Sequence, residues 1–230
     1  MKKIAIILLL STVVAGNSIA QQTKFYGSTS LEMIFSFADI DNQGYDQGNI
    51  MRWAPVINPQ TMFNADFGNV FGMFTGLAIR NVGFIYDNPL DGNKYKYRTY
   101  NAGIPAGFKL GKLDKFFVFG GYEIEFPFVY KEKLFVDEVK EDKFTVWFSD
   151  RVVPVQHSLL AGIQFPYGMA IKFKYYLTNF HNRDFMATGG NGDMKPYDFK
   201  SNIFYFSLSF YPFRNWKTYE PKNVTKIDLR

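Results

Sequence analysis

The chain has no cysteine and only two histidines in 230 residues. Without cysteine there is no disulfide framework, no lipoprotein acylation site and no cysteine–histidine metal centre. Long apolar runs are missing too. The longest, from Ile4 to Val14, falls well short of the roughly twenty residues that a membrane-crossing helix needs. It follows Lys2 and Lys3 and precedes the small residues Ser18-Ile19-Ala20. That order predicts a signal peptide, residues 1–20, cleaved near Ala20. Two histidines also leave little catalytic material. His157 and Ser158 are neighbours, so on one strand they face opposite ways. His181 would need a distant Ser149 or Asp150 to build a triad. Asp39, Asp41, Asn42 and Asp46 match no calcium-loop spacing and read as solvated loop residues. No catalytic residue, metal site or cofactor is expected.

What the chain has in excess is aromatic side chains, 19% of all residues, and strict alternation. In Met169-Ala170-Ile171-Lys172-Phe173-Lys174-Tyr175-Tyr176-Leu177-Thr178, one set of alternate residues is apolar and the other largely polar. Side chains of a strand point to opposite faces in turn, so such a segment has one greasy and one wet face. Eight segments carry this pattern: 25–37, 51–66, 70–86, 95–110, 115–130, 155–165, 169–181 and 202–213. Pro55 and Pro59 weaken the second, since proline cannot donate to a ladder.

The connections alternate in length. Phe67-Gly68-Asn69, Gly111-Lys112-Leu113-Asp114 and Pro166-Tyr167-Gly168 are tight, whereas 38–50, 87–94, 131–154 and 182–201 are long. Alternating strands, aromatic excess and long–short alternation predict an all-β fold. It is an eight-stranded antiparallel up-and-down transmembrane β-barrel, residues 21–213, with long external loops and short periplasmic turns in a cell outer membrane. Residues 214–230 read as a basic periplasmic tail. The formal charge of +5 loses two with Lys2 and Lys3, and the tail carries what remains. The barrel itself is then near neutral, which gives no reason to expect a nucleic-acid partner.

Leu77-Ala78-Ile79-Arg80-Asn81-Val82-Gly83-Phe84, the stretch from Asp142 to Arg151, and Gly162-Ile163-Gln164-Phe165-Pro166-Tyr167-Gly168 resemble the small outer-membrane β-barrel proteins of the Bacteroidota, often called porin-family barrels. The resemblance implies the barrel fold and transfers no catalytic residue.

If the apolar face meets lipid, the lumen receives Glu32, Glu123 and Glu125 with Arg52, Arg80, Lys172 and Lys174. Side chains just fill an eight-stranded cylinder, so these charges are expected to pair as a plug. A charge-lined pore for small solutes or ions is the alternative. The loop 131–150 mixes charge with aromatics and is expected to form a hairpin that prolongs two strands. Phe144, Trp147, Phe148 and Arg151 are its candidate contacts for a protein partner. The favoured function is a non-enzymatic structural or interaction module. Outer-membrane lipids, and a protein met through this loop or the tail, are the expected partners. A passive channel, a part in secretion or assembly machinery, and a lipid-modifying enzyme follow in that order.

Overall fold

The computed structural model describes residues 23–42, 49–55, 58–89, 91–189 and 192–219. The expected signal peptide, residues 1–20, and the chain beyond 219 lie outside them. The strands are β1 (Thr23–Asp41), β2 (Asn49–Ile50), β3 (Arg52–Ala54), β4 (Pro59–Phe67), β5 (Phe71–Asp87), β6 (Lys94–Lys112), β7 (Phe116–Val136), β8 (Val139–Trp147), β9 (Gln156–Phe165), β10 (Met169–Tyr176), β11 (Ala187–Gly189), β12 (Gly192–Met194) and β13 (Lys200–Tyr219). The main sheet runs β13-β10-β9-β7-β6-β5-β4-β1, every ladder is antiparallel, and β1 pairs in turn with β13. The sheet therefore returns to its first strand, and eight staves form a ring with no open edge.

Alternation decides which face is which. On β5, Leu77 is 61% exposed and its inward neighbour Arg80 is 0% exposed. On β7, Val118 and Phe126 are exposed while Glu123 and Glu125 are fully buried. Leu31, Phe63, Ile104, Phe108, Leu159, Ile171 and Phe206 continue the exposed apolar band around the ring. A water-soluble barrel buries such residues. This one exposes them and buries its charges, which is the pattern of a transmembrane β-barrel.

The second stave is broken. Ala54 lies opposite Ile34 and Pro59 opposite Leu31, so five steps of one strand match three of the other. Asn58 fills the break, its side-chain amide donating to the carbonyls of Glu32 (3.0 Å) and Ala54 (3.3 Å). Two expected ends differ. The seventh alternating segment leaves the ladder at Tyr176, five residues before His181. The last stave runs on to Tyr219, with Trp216 opposite Gly27, so residues 214–219 continue the strand instead of opening a tail. The reason is that β1 begins at Thr23 and presents backbone partners there.

The loop 131–150 is a hairpin of β7 and β8. Asp137 and Glu138 both have positive φ (49° and 65°), the two-residue turn that suits strand twist.

Candidate functional site

Every stave sends at least one polar side chain into the same level of the lumen. They are Glu32 (β1), Gln60 (β4), Arg80 (β5), Asn101 (β6), Glu123 and Glu125 (β7), Gln156 and Ser158 (β9), Lys172, Lys174 and Tyr176 (β10), and Ser207 (β13). All are buried.

Arg80 is the hub. Its guanidinium pairs with Glu32 and, through Nε, with Glu123 Oε1 at 3.1 Å; Nη2 donates to Gln60 Oε1 at 2.9 Å. Lys172 Nζ lies 2.8 Å from Glu32 Oε1. Lys174 bridges Glu123 (2.7 Å) and Glu125. Ser207 donates to Glu32, the Tyr176 hydroxyl to Glu125 (2.8 Å), and Asn101 to Glu125 (2.7 Å). Three carboxylates face three cations, so the layer is neutral as a whole. Buried charges are tolerable only when so paired and hydrogen-bonded. Glycine makes the room: a Cβ at Gly103 would run into the Glu123 carboxylate.

Six of the seven residues expected in the lumen thus meet. Arg52 does not. It is buried, but it donates to the backbone carbonyl of Asn81 (3.1 Å) and to the Asn81 side chain, and Nε finds no partner. The register explains this. Arg52 lies opposite Ser36, four residues beyond Glu32, about 13 Å along a strand. One further buried pair escaped the sequence reading. Lys109 contacts Asp66 (2.5 Å), Asn64 (3.0 Å) and the Tyr26 hydroxyl (3.0 Å) nearer the short turns. Both residues alternate with outward apolar neighbours, which was the available signal.

Between these two polar layers lies a cavity of about 70 Å³, walled by Met62, Phe74, Phe117, Phe119 and Leu160. On the other side of the Arg80 layer an aromatic lid fills the mouth. The segment after β10 folds inward, and Phe180 and His181 are buried with Tyr197 and Phe199. His181 stacks on Tyr197 (4.5 Å between centroids, 10°) and meets Tyr97 edge-on (4.6 Å). Phe180 packs on Phe84, and Phe199 on Tyr86. The Phe180 N–H bonds to Ser201 O (2.9 Å), and the Asn182 N–H to Arg151 O (2.9 Å), tying the lid to the rim. The Tyr130 and Tyr197 hydroxyls both donate to Glu132 Oε2 at 2.8 Å.

His181 is therefore a lid residue: its backbone bridges Val152 and its neighbour Asn182 donates to Asp150 O (2.9 Å), but its ring faces Ser201 and Tyr130 and not the Asp150 carboxylate. Ser201 Oγ lies 3.4 Å from its Nδ1, and the Tyr130 hydroxyl 3.4 Å from Nε2, all within the buried aromatic cluster. His157 sits on the outer wall beside the Tyr122 hydroxyl, while Ser158 points inward and donates to Glu123 O (3.1 Å). Among the described residues no cluster of three or more metal-binding side chains occurs.

The four candidate contact residues of the hairpin divide. Trp147 and Phe148 are 64% and 76% exposed. Phe144 is opposite Glu132 and so faces the other way, against Tyr130, with the Arg151 guanidinium 4.9 Å over its ring. Arg151 also lies 4.8 Å over Phe185, so these two residues hold the lid and rim together.

No protein-family model and no curated protein matches the chain. Among solved structures it is similar to Ail, the attachment invasion locus protein of Yersinia pestis, in complex with the heparin analogue sucrose octasulfate. That match has 13% identity, 81% of this chain, 97% of that one and TM-score 0.37. Neisserial surface protein A gives 8% identity, 81% and 99% coverage and TM-score 0.39. OprG, an outer-membrane protein of Pseudomonas aeruginosa, gives 12%, 82%, 94% and 0.30. Likenesses of this size bear on neither ligand nor activity.

Proposed function

We propose that this protein is an outer-membrane β-barrel with a sealed lumen, acting as a structural or interaction module through what it displays outside the bilayer. The observation that carries the reading is the neutral layer around Arg80, to which all eight staves contribute. Hydrated ions need a continuous water path, and here the cross-section is filled by side chains bonded to one another. The aromatic lid closes the same route a second time. The cavity near the short turns reaches Gln60 and Lys172 of the charged layer.

Display then falls to the hairpin of β7 and β8, whose exposed Trp147 and Phe148 stand at the membrane–water interface within reach of another membrane protein. Partner capture through Trp147 is the expected mode, since tryptophan is enriched at interaction hot spots. Photo-crosslinking from position 147 in intact cells tests this. A discrete crosslinked protein, lost when the hairpin tip is replaced by a short turn, supports the module. No trapped protein, with unchanged cellular behaviour of Trp147→Ala, leaves a purely structural barrel.

A further inference from the structure

Above the apolar band, the outer wall of β6, β7 and β8 is arranged in rows by the ladder. Tyr100, Val129 and Trp147 form one row; Arg98, Lys131 and Thr145 the next; Lys96, Lys133 and Lys143 the third. Cross-strand partners share a face, so five cations stand together on one side of three strands. Like charges directly opposite destabilise a ladder, yet Lys96, Lys133 and Lys143 are opposed across two ladders in succession. None of the five has an acidic ion-pair partner among the described residues, although Lys94 nearby pairs with Glu138. Two of the hairpin's acids, Glu132 and Asp142, are on its other face, alternating with Lys131, Lys133 and Lys143, while Asp137 and Glu138 form the turn. Burial and then Arg98, Lys143, Lys140 and Lys131 all pull Lys133 below the ordinary lysine value. Burial and then Arg52, Lys133 and Arg98 do the same to Lys96.

The row beneath tells what kind of anion fits. Tyr100 lies under Lys131 Nζ (5.2 Å) and Arg98 Cζ (6.0 Å), and Trp147 packs beside Phe128. Below these, Ala102, Ile104 and Phe126 belong to the exposed apolar wall. Aromatic side chains collect at the membrane–water interface, and successive rows on one strand face are about 7 Å apart. The cations therefore sit at headgroup height, directly over a wall that acyl chains would cover. A soluble polyanion needs no such wall.

We infer that the outer face of β6, β7 and β8 is a binding site for a phosphate-bearing lipid of the leaflet on the long-loop side, its headgroup held by Arg98, Lys131, Lys133, Lys96 and Lys143. This rests on the barrel's insertion in a bilayer, as proposed above.

The test uses the mature protein in phosphatidylcholine vesicles with or without a bis-phosphorylated disaccharide lipid. Heat-modifiable mobility first verifies folding and insertion, and lipid retained per barrel is then read by native mass spectrometry. Wild type should enrich the phosphorylated lipid, and less so as salt rises. Arg98→Gln with Lys131→Gln, and separately Lys133→Gln with Lys143→Gln, should each weaken retention, by about fivefold per cation removed. Lys131→Arg with Lys133→Arg should keep it, as should Lys112→Gln with Lys115→Gln at the opposite end. An inserted wild type with no preference, or glutamine variants equal to wild type, would overturn the site. So would soluble inorganic phosphate or a sulfated polysaccharide that binds the patch as well as the lipid does. A protein that fails to insert at all refutes the membrane reading beneath it.

Discussion

Arg80 is the residue on which the lumen turns. It touches two carboxylates from opposite sides of the ring and lies wholly out of solvent. Arg80→Met would leave Glu32 and Glu123 short of a partner and should cost about 3–5 kcal/mol. Urea unfolding in lipid, followed by heat-modifiable mobility, measures it. Adding Glu123→Gln should recover most of the loss, because it restores neutrality and leaves Glu32 paired with Lys172 and Glu125 with Lys174. His181, in the lid above the apolar band, gives a second residue-scale outcome. Burial pulls its imidazole from the ordinary 6.5 down to about 3, so the closed lid holds the neutral ring. A group with a lowered pKa of this sign contributes fully above its unfolded value and loses the contribution as pH falls through the folded one. Lid stability should therefore decline from about pH 6.5 towards 3. Amide-exchange protection of residues 177–182, corrected for intrinsic rate, should fall across that window, and His181→Phe should flatten the decline. Glu132 is shifted the other way: burial raises its carboxyl against the hydrogen bonds of Tyr197 and Tyr130. Its share is present in acid and is lost as pH rises through the raised value, so Glu132→Gln separates the two.

At the scale of elements, the hairpin of β7 and β8 has two unlike faces. Its inner side carries Phe144 and Glu132 against the rim, and its outer side carries Trp147 and the cations. Trp147→Ala should leave folding within about 0.5 kcal/mol of wild type, as expected of an exposed side chain. Phe144→Ala should loosen the lid, because it removes the ring beneath Arg151. External protease on intact cells should cut the hairpin around Asp137–Lys143 and spare the turns at Gly68, Gly111 and Gly168; the reverse pattern would invert the barrel. The staves were legible in the sequence because period-two alternation survives wherever one face meets lipid. The broken second stave was marked by Pro55 and Pro59. The lid was not legible. Phe180, His181, Tyr197 and Phe199 follow no period, and they are buried only because the chain after Tyr176 turns into a mouth of matching width. Asn179 fixes that turn, its side chain bonding to His181 O (2.8 Å) and Phe199 O (3.3 Å). The alternation past Tyr176 is coincidental, which is why the ladder's end was invisible. Likewise the inward charges could be named from their parity, but Arg52 could not be excluded, since its height depends on how many residues the break at 55–58 absorbs.

For the whole molecule, the ring of eight staves, the inverted exposure and the two buried layers, charged and aromatic, belong together. A barrel this narrow either fills its lumen or leaves a thin file of water, and its buried side chains are ionic at mid-height and aromatic at the mouth. Removing one closure should leave the other. A variant lacking the lid aromatics, with Phe180, Tyr197 and Phe199 all changed to alanine, should remain non-conducting while the Arg80 layer stands. The most direct test of the sealed lumen is single-channel recording of the folded, heat-modifiable wild-type protein in planar bilayers. A sealed lumen gives a flat trace with no reproducible open steps at moderate voltage and neutral pH. Regular steps from the wild type, with an ion preference that reverses when Lys172 and Lys174 are replaced by glutamate, would show a water-filled path through the charged layer and contradict it.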